Sequence, residues 1–138
     1  MGFNLPTDLQ NVEPGQRIGN IKGLADAIQY KSGASTQNGI IASTTQTQAG
    51  GTKIYYHISR VTSANANDAV TLAFPAVPGS SFVLINDSGN IVGLFPKLGD
   101  TLNDAVHDAV MAIADNTVSK YYCPVAGLWF GGATTLET

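Results

Sequence analysis

Between Asp68 and Pro96 the chain reads DAVTLAFPAVPGSSFVLINDSGNIVGLFP, three short apolar runs separated by turn-forming clusters. The runs cover residues 70–74, 82–85 and 91–95. Stretches of about 4–8 residues rich in β-branched and aromatic side chains, bounded by Gly, Pro, Asn and Asp, form strands. Pro75 and Pro78 each lack an N–H, so neither a regular ladder nor a helix passes through them. Asp87-Ser88-Gly89 supplies the positive φ a tight reversal needs, which predicts that the second and third runs form a hairpin. The expectation is an antiparallel β unit around which the remaining strands assemble.

The flanking chain adds more short strands. Ile40-Ile41 predicts one, and residues 53–62 predict the longest. There Ile54, Tyr56 and Ile58 alternate with Tyr55, His57 and Ser59, as in a half-buried strand. Residues 97–104 read as a loop with a short central strand, and residues 105–114 as a loop leading into a strand over 110–113. Asp115-Asn116-Thr117 marks a turn, residues 118–123 a strand stopped by Pro124, and Leu128-Trp129-Phe130 a last short strand. Seven or eight short strands at roughly 8–12-residue spacing, with no α/β alternation, predict an all-β antiparallel β-sandwich or jelly roll over residues 38–138.

Residues 1–37 differ. Pro6, Pro14, Gly15 and Gly19 interrupt any period, while Phe3, Leu5, Leu9 and Val12 stand alone among polar neighbours. Such a segment is either a disordered end or an extended arm that lays those side chains on another subunit. Ile21, Leu24, Ala25 and Ile28 then recur at the helical period behind Asn20, an acceptable N-cap, so the arm has room for one short helix over residues 21–31.

Only 12% of the residues are charged, about half the usual share in globular proteins. A polar but weakly charged surface suits a domain covered by neighbouring subunits. The net charge of −3 and the scattering of Lys and Arg argue against a nucleic-acid partner. No apolar run approaches the roughly 18–20 residues needed to cross a bilayer, and the first residues do not resemble a signal peptide, so no membrane partner is expected. The single cysteine, Cys123, excludes an intramolecular disulfide and a Cys-based metal site.

Candidate chemistry is sparse. His57 has Ser59 as its one local hydroxyl partner, no G-x-S-x-G elbow exists, and the expected role is structural. Asp100, Asp104, His107 and Asp108 form the one cluster with ligand types for Ca²⁺, Mn²⁺ or Zn²⁺, but the EF-hand pattern is absent and a solvated acidic loop is the default. Nothing in the sequence sets Asp100 and Asp104 across a cleft as a glycosidase pair. Cys123 is expected as a small buried apolar residue. Trp129, with Phe130 and Tyr121-Tyr122, is expected to plug the core; the competing reading is a carbohydrate platform. The chain is therefore expected to be no enzyme, with no catalytic residue, no metal and no cofactor.

An ordered series of short motifs runs through the second part of the chain. It comprises Asp68-Ala69-Val70-Thr71-Leu72, residues 75–79, Val83-Leu84-Ile85-Asn86, Ile91-Val92, Phe95-Pro96, Gly99-Asp100-Thr101-Leu102-Asn103, Tyr122-Cys123 and Ala126-Gly127-Leu128-Trp129. Over residues 38–131 this resembles the β domain of structural proteins of tailed bacteriophages, among them capsid decoration (cement) and head-fibre proteins. The chain departs from that pattern in its His107-bearing segment and its first 37 residues.

The resemblance implies a virion component on the capsid exterior, made in the host cytoplasm, with no catalytic residues. Its partners would be the major capsid protein and further copies of itself, a trimer in preference to a dimer. Phe3, Leu5, Leu9 and Val12 are the candidate contact residues. The alternative is a receptor- or glycan-binding head-fibre or tail-spike domain that stacks sugars on its Tyr and Trp residues.

Overall fold

The computed structural model describes residues 36–103 and 105–135. The expected contact residues Phe3, Leu5, Leu9 and Val12, and the helix over 21–31, lie outside the described residues. Within these there are ten strands and no helix. The first six are β1 (Thr36–Ile41), β2 (Thr52–Ile54), β3 (Ile58–Ser63), β4 (Asp68–Leu72), β5 (Ser81–Asn86) and β6 (Val92–Phe95). The last four are β7 (Thr101–Leu102), β8 (Met111–Ile113), β9 (Thr117–Val125) and β10 (Leu128–Thr135).

The all-β expectation holds, but the antiparallel sandwich or jelly roll does not. The odd-numbered strands β1, β3 and β5 stack in parallel in one sheet, and β2, β4 and β6 stack in parallel in a second. From β1 to β9 the chain therefore crosses from one sheet to the other after every strand, in the manner of a β-solenoid, and only then turns back within the long sheet into β10. Closure comes from strands of opposite direction: β8 runs antiparallel to β6, β9 to β5, and β10 to β9. A six-stranded sheet, β1-β3-β5-β9-β10-β7, faces a four-stranded one, β2-β4-β6-β8.

Two expected pairings fail for the same reason. Asp87-Ser88-Gly89 does not join a hairpin, because β5 and β6 belong to different sheets and the segment is a corner between them. Gly89 does adopt the expected positive φ (90°), but that geometry turns the chain from one sheet to the other. Residues 53–62 are likewise two strands in two sheets, broken at an exposed corner, Tyr55-Tyr56-His57. The corner resets the alternation: Ile58 is exposed while Ser59 and Val61 point inward. Pro124 does not end its strand either; β9 runs on to Val125, beyond the reach of its β5 pairing, where no ladder N–H is required.

The core fills the space between the sheets. Val61, Phe82, Leu84, Tyr121, Cys123 and Trp129 come from the long sheet, and Ile54, Val70, Leu72, Val92, Leu94 and Ile113 from the short one. Trp129 sits edge-on to Phe82, with centroids 4.8 Å apart, and Phe82 stacks on Tyr121 at 4.9 Å. Truncating a buried aromatic in such a cluster costs about 3–5 kcal/mol. The segment between β1 and β2 covers part of the short sheet's far side: Ser43 bridges Ala69, and Thr71 Oγ1 donates to the Gln48 carbonyl at 2.7 Å. This is why β4 is buried at every position.

Candidate functional site

Alternation along the long sheet places a defined set of side chains on its outer face. On β3 these are Ile58, Arg60 and Thr62; on β5, Ser81, Val83 and Ile85; on β9, Val118, Lys120 and Tyr122; on β10, Phe130. Register joins them in rows across the sheet. Ile58 pairs with Val83 and Val83 with Lys120; Arg60 pairs with Ile85 and Ile85 with Val118. Ser81 pairs with Tyr122 and Tyr122 with Phe130. The result is a continuous face of aliphatic and aromatic side chains. Tyr122 is 54% exposed, and Ile58 and Phe130 are exposed as well.

Two cations are set in this face. The Lys120 ammonium lies 5.6 Å from the Tyr122 ring centroid, within cation–π range. Arg60 pairs with Asp87 and donates to Asn38 Oδ1 at 3.3 Å. The face is thus close to electrically neutral. Aromatic enrichment with few charges is what distinguishes the buried centre of protein–protein interfaces from ordinary surface.

The acidic loop is tied up by its own chain. Asp108 Oδ1 accepts the Gly99 N–H at 2.6 Å and Gln48 Nε2 at 2.9 Å, and these bonds hold its carboxyl below the usual carboxylate range. Asp100 Oδ2 accepts the Ala76 N–H at 2.8 Å. His107 Nδ1 donates to the Gly99 carbonyl at 3.1 Å and lies 3.0 Å from Thr101 Oγ1. Asp104 lies outside the described residues. Among the described residues no three His, Cys, Asp or Glu side chains converge as metal ligands.

The remaining candidates are spread apart. His57 stacks on Phe74 with centroids 4.1 Å apart, and partial burial lowers its pKa below the usual 6.5. Ser59 Oγ turns away from it and donates to the Tyr56 carbonyl. Cys123 is buried and free, with its Sγ donating to the Val125 carbonyl at 3.0 Å. Trp129 is 0% exposed, which removes it from any sugar-stacking surface. Tyr121 is buried, whereas Tyr122 faces out.

Sequence reasoning missed two things. The outer face of the long sheet was unreadable because its rows combine strands from three separate stretches of chain. The exposed corner Tyr55-Tyr56 was hidden inside a supposed strand, although two adjacent tyrosines before a histidine are a poor fit to one buried stripe. No helix among the described residues is long and apolar enough to cross a membrane. Compared with known proteins, the chain matches no family model, no curated protein and no solved structure.

Proposed function

We propose that the protein is a non-enzymatic virion component of a tailed bacteriophage, a capsid decoration (cement) protein on the shell exterior. In this reading the N-terminal arm, through Phe3, Leu5, Leu9 and Val12, engages the major capsid protein. The outer face of the six-stranded sheet packs against further copies of the chain in a homo-oligomer, a trimer. Bridging neighbouring shell subunits in this way opposes expansion and rupture of the shell.

The observation that carries the reading is the outer face itself: Ile58, Val83, Ile85, Tyr122 and Phe130 in rows across the sheet, interrupted by Lys120, Arg60 and the small polar Thr62 and Ser81. Burying apolar surface contributes about 25 cal/mol per Å², less the entropy of association, so a modest contact repeated around a shell accumulates. A neutral sheet face gives an enzyme nothing to work with. It gives a subunit contact most of what it needs.

The test uses purified shells and the full-length chain. Tyr122→Lys replaces the exposed ring with a second ammonium beside Lys120 and should convert the oligomer to monomer by light scattering, with unchanged circular dichroism. Deleting residues 1–20 should abolish shell binding and leave the β domain folded. Unchanged oligomer size in the first variant, or unchanged occupancy on shells in the second, would refute the respective contact.

A further inference from the structure

A cleft of about 310 Å³ opens on the far side of the molecule's short sheet, at its β2 edge. This lies at the small end of the range for small-molecule sites, roughly 300–1,000 Å³. Lys53 on β2, Thr71 on β4, Gln48 from the β1–β2 segment, and Lys97 and Leu98 after β6 line it, with Tyr55 from the first corner at its side. Tyr55 is 63% exposed and Leu98 78%, so an aromatic ring and an aliphatic side chain stand open to solvent beside two ammonium groups.

The cations are available. Lys53 Nζ donates to the carbonyls of Gln48 at 3.2 Å and Ala49 at 3.4 Å, which positions the ammonium over the cleft and leaves its third proton for a ligand. Neither Lys53 nor Lys97 forms an ion pair among the described residues, where Arg60–Asp87 is the one such pair. No carboxylate lines the cleft. The nearby Asp108 carboxylate is bonded on one oxygen to Gln48 and Gly99 and forms no ion pair with either lysine. In a chain of net charge −3, two lysines in one cleft with no ion-pair partner among the described residues are a local excess of positive charge.

The geometry points to a binding site for an anionic saccharide, a sugar unit carrying a carboxylate or a phosphate. The lysines take the charged group by charge-assisted hydrogen bonds, and the tyrosine ring takes the apolar face of the sugar. The site lies on the short sheet and does not depend on the outer face of the long one. It equips the domain to hold a charged polysaccharide whether or not it decorates a shell.

Amide chemical shifts of the full-length protein provide the test, read during titration with four probes: a uronate-containing tetrasaccharide, a sugar phosphate, maltotetraose and inorganic phosphate. One or both charged sugars should move the amides of Tyr55, Ala73 and Leu98 saturably, and which of them does so separates a carboxylate from a phosphate as the recognised group. Lys97→Gln, at an exposed position, should weaken that binding by about tenfold, the lower end of what losing one charge-assisted hydrogen bond produces. Tyr55→Ala should weaken it comparably and leave the fold intact. Lys53→Gln also frees the Gln48 and Ala49 carbonyls, so Lys97→Gln is the decisive variant. Equal binding of maltotetraose would overturn the role of the cations, and equal binding of inorganic phosphate the role of the sugar. No saturable shift with either charged sugar at millimolar concentration would overturn the site.

Discussion

Asn86 Nδ2 donates to the carbonyl of Ile113 at 2.9 Å, in the interior, where Asn86 has 0% exposure. The same amide nitrogen reaches the carbonyls of Asn90 at 2.8 Å and Ala114 at 3.1 Å, while Oδ1 accepts the Ser88 hydroxyl and N–H. One side chain at the end of β5 thus fastens the corner into β6 and the end of β8. The corner crosses between sheets, so its backbone groups have no ladder to join, and the amide supplies partners in its place.

Asn86→Ala should therefore cost about 2–4 kcal/mol, since it leaves buried carbonyls without a donor as well as removing net-favourable bonds. Asn90→Ala, which removes only a surface bond to the Ala64 carbonyl, should cost under about 1 kcal/mol. Urea midpoints of the two variants check this. Equal losses would mean that Asn86 is not the fastener.

Gly131 and Gly132 are neighbours in β10 with opposite expected responses. A Cβ on Gly131 would lie 2.0 Å from the Lys120 carbonyl oxygen and 2.6 Å from the Tyr121 Cα, both backbone atoms of the paired strand. A Cβ on Gly132 would meet nothing within 4 Å. Gly131→Ala should lower stability by about 3 kcal/mol or more through overpacking. Gly132→Ala should be neutral or raise it by roughly 0.5–1 kcal/mol through reduced chain entropy. Thermal melts of both variants give the sign directly.

How far the sequence foretold this arrangement depends on which property is asked about. Strand positions were legible because apolar runs such as Phe82-Val83-Leu84-Ile85 and their Gly, Asn and Pro boundaries are local. Partners were not. Alternation says which face a residue occupies, and Asp87-Ser88-Gly89 can close a hairpin or turn a corner with the same backbone angles. One signal for parallel stacking was present: residues 69–72 carry no polar alternation, and β4 proves buried at every position. The burial of Trp129 and Cys123 followed from residue type. The cleft did not, because Lys53, Tyr55 and Lys97 meet only after four crossings between the sheets.

Cys123 should be inert in the native protein. Its thiol is 3% exposed and donates to the Val125 carbonyl, between neighbours that offer no base. A thiol reagent should modify it only as fast as the domain opens, with the rate rising in step with denaturant. Reaction in native buffer at the rate of a free cysteine would mean that β9 and β10 part at this end without global unfolding.

Acid should weaken the domain in two separable steps. Burial against Phe74 lowers the His57 pKa below 6.5, so the fold prefers the neutral ring. Between that lowered value and 6.5 the unfolded chain binds more protons than the native one, and stability falls as pH drops through the window. The contribution is complete above 6.5 and the loss levels off below the folded pKa. Asp108 acts further down: hydrogen bonds first from Gln48 and then from the Gly99 N–H depress its pKa below 3.8. Its contribution is intact above 3.8 and disappears as pH falls through the depressed value. Both groups are largely open to solvent, so each step should be small and weakened by salt. Denaturation midpoints followed from neutral pH into the carboxylate range should show both. His57→Gln should flatten the upper step alone and Asp108→Asn the lower step alone, the asparagine tolerating the positive φ (64°) of that position. If His57→Gln leaves the upper step in place, the ring on Phe74 is not what titrates there, and a group in another part of the chain must carry that dependence.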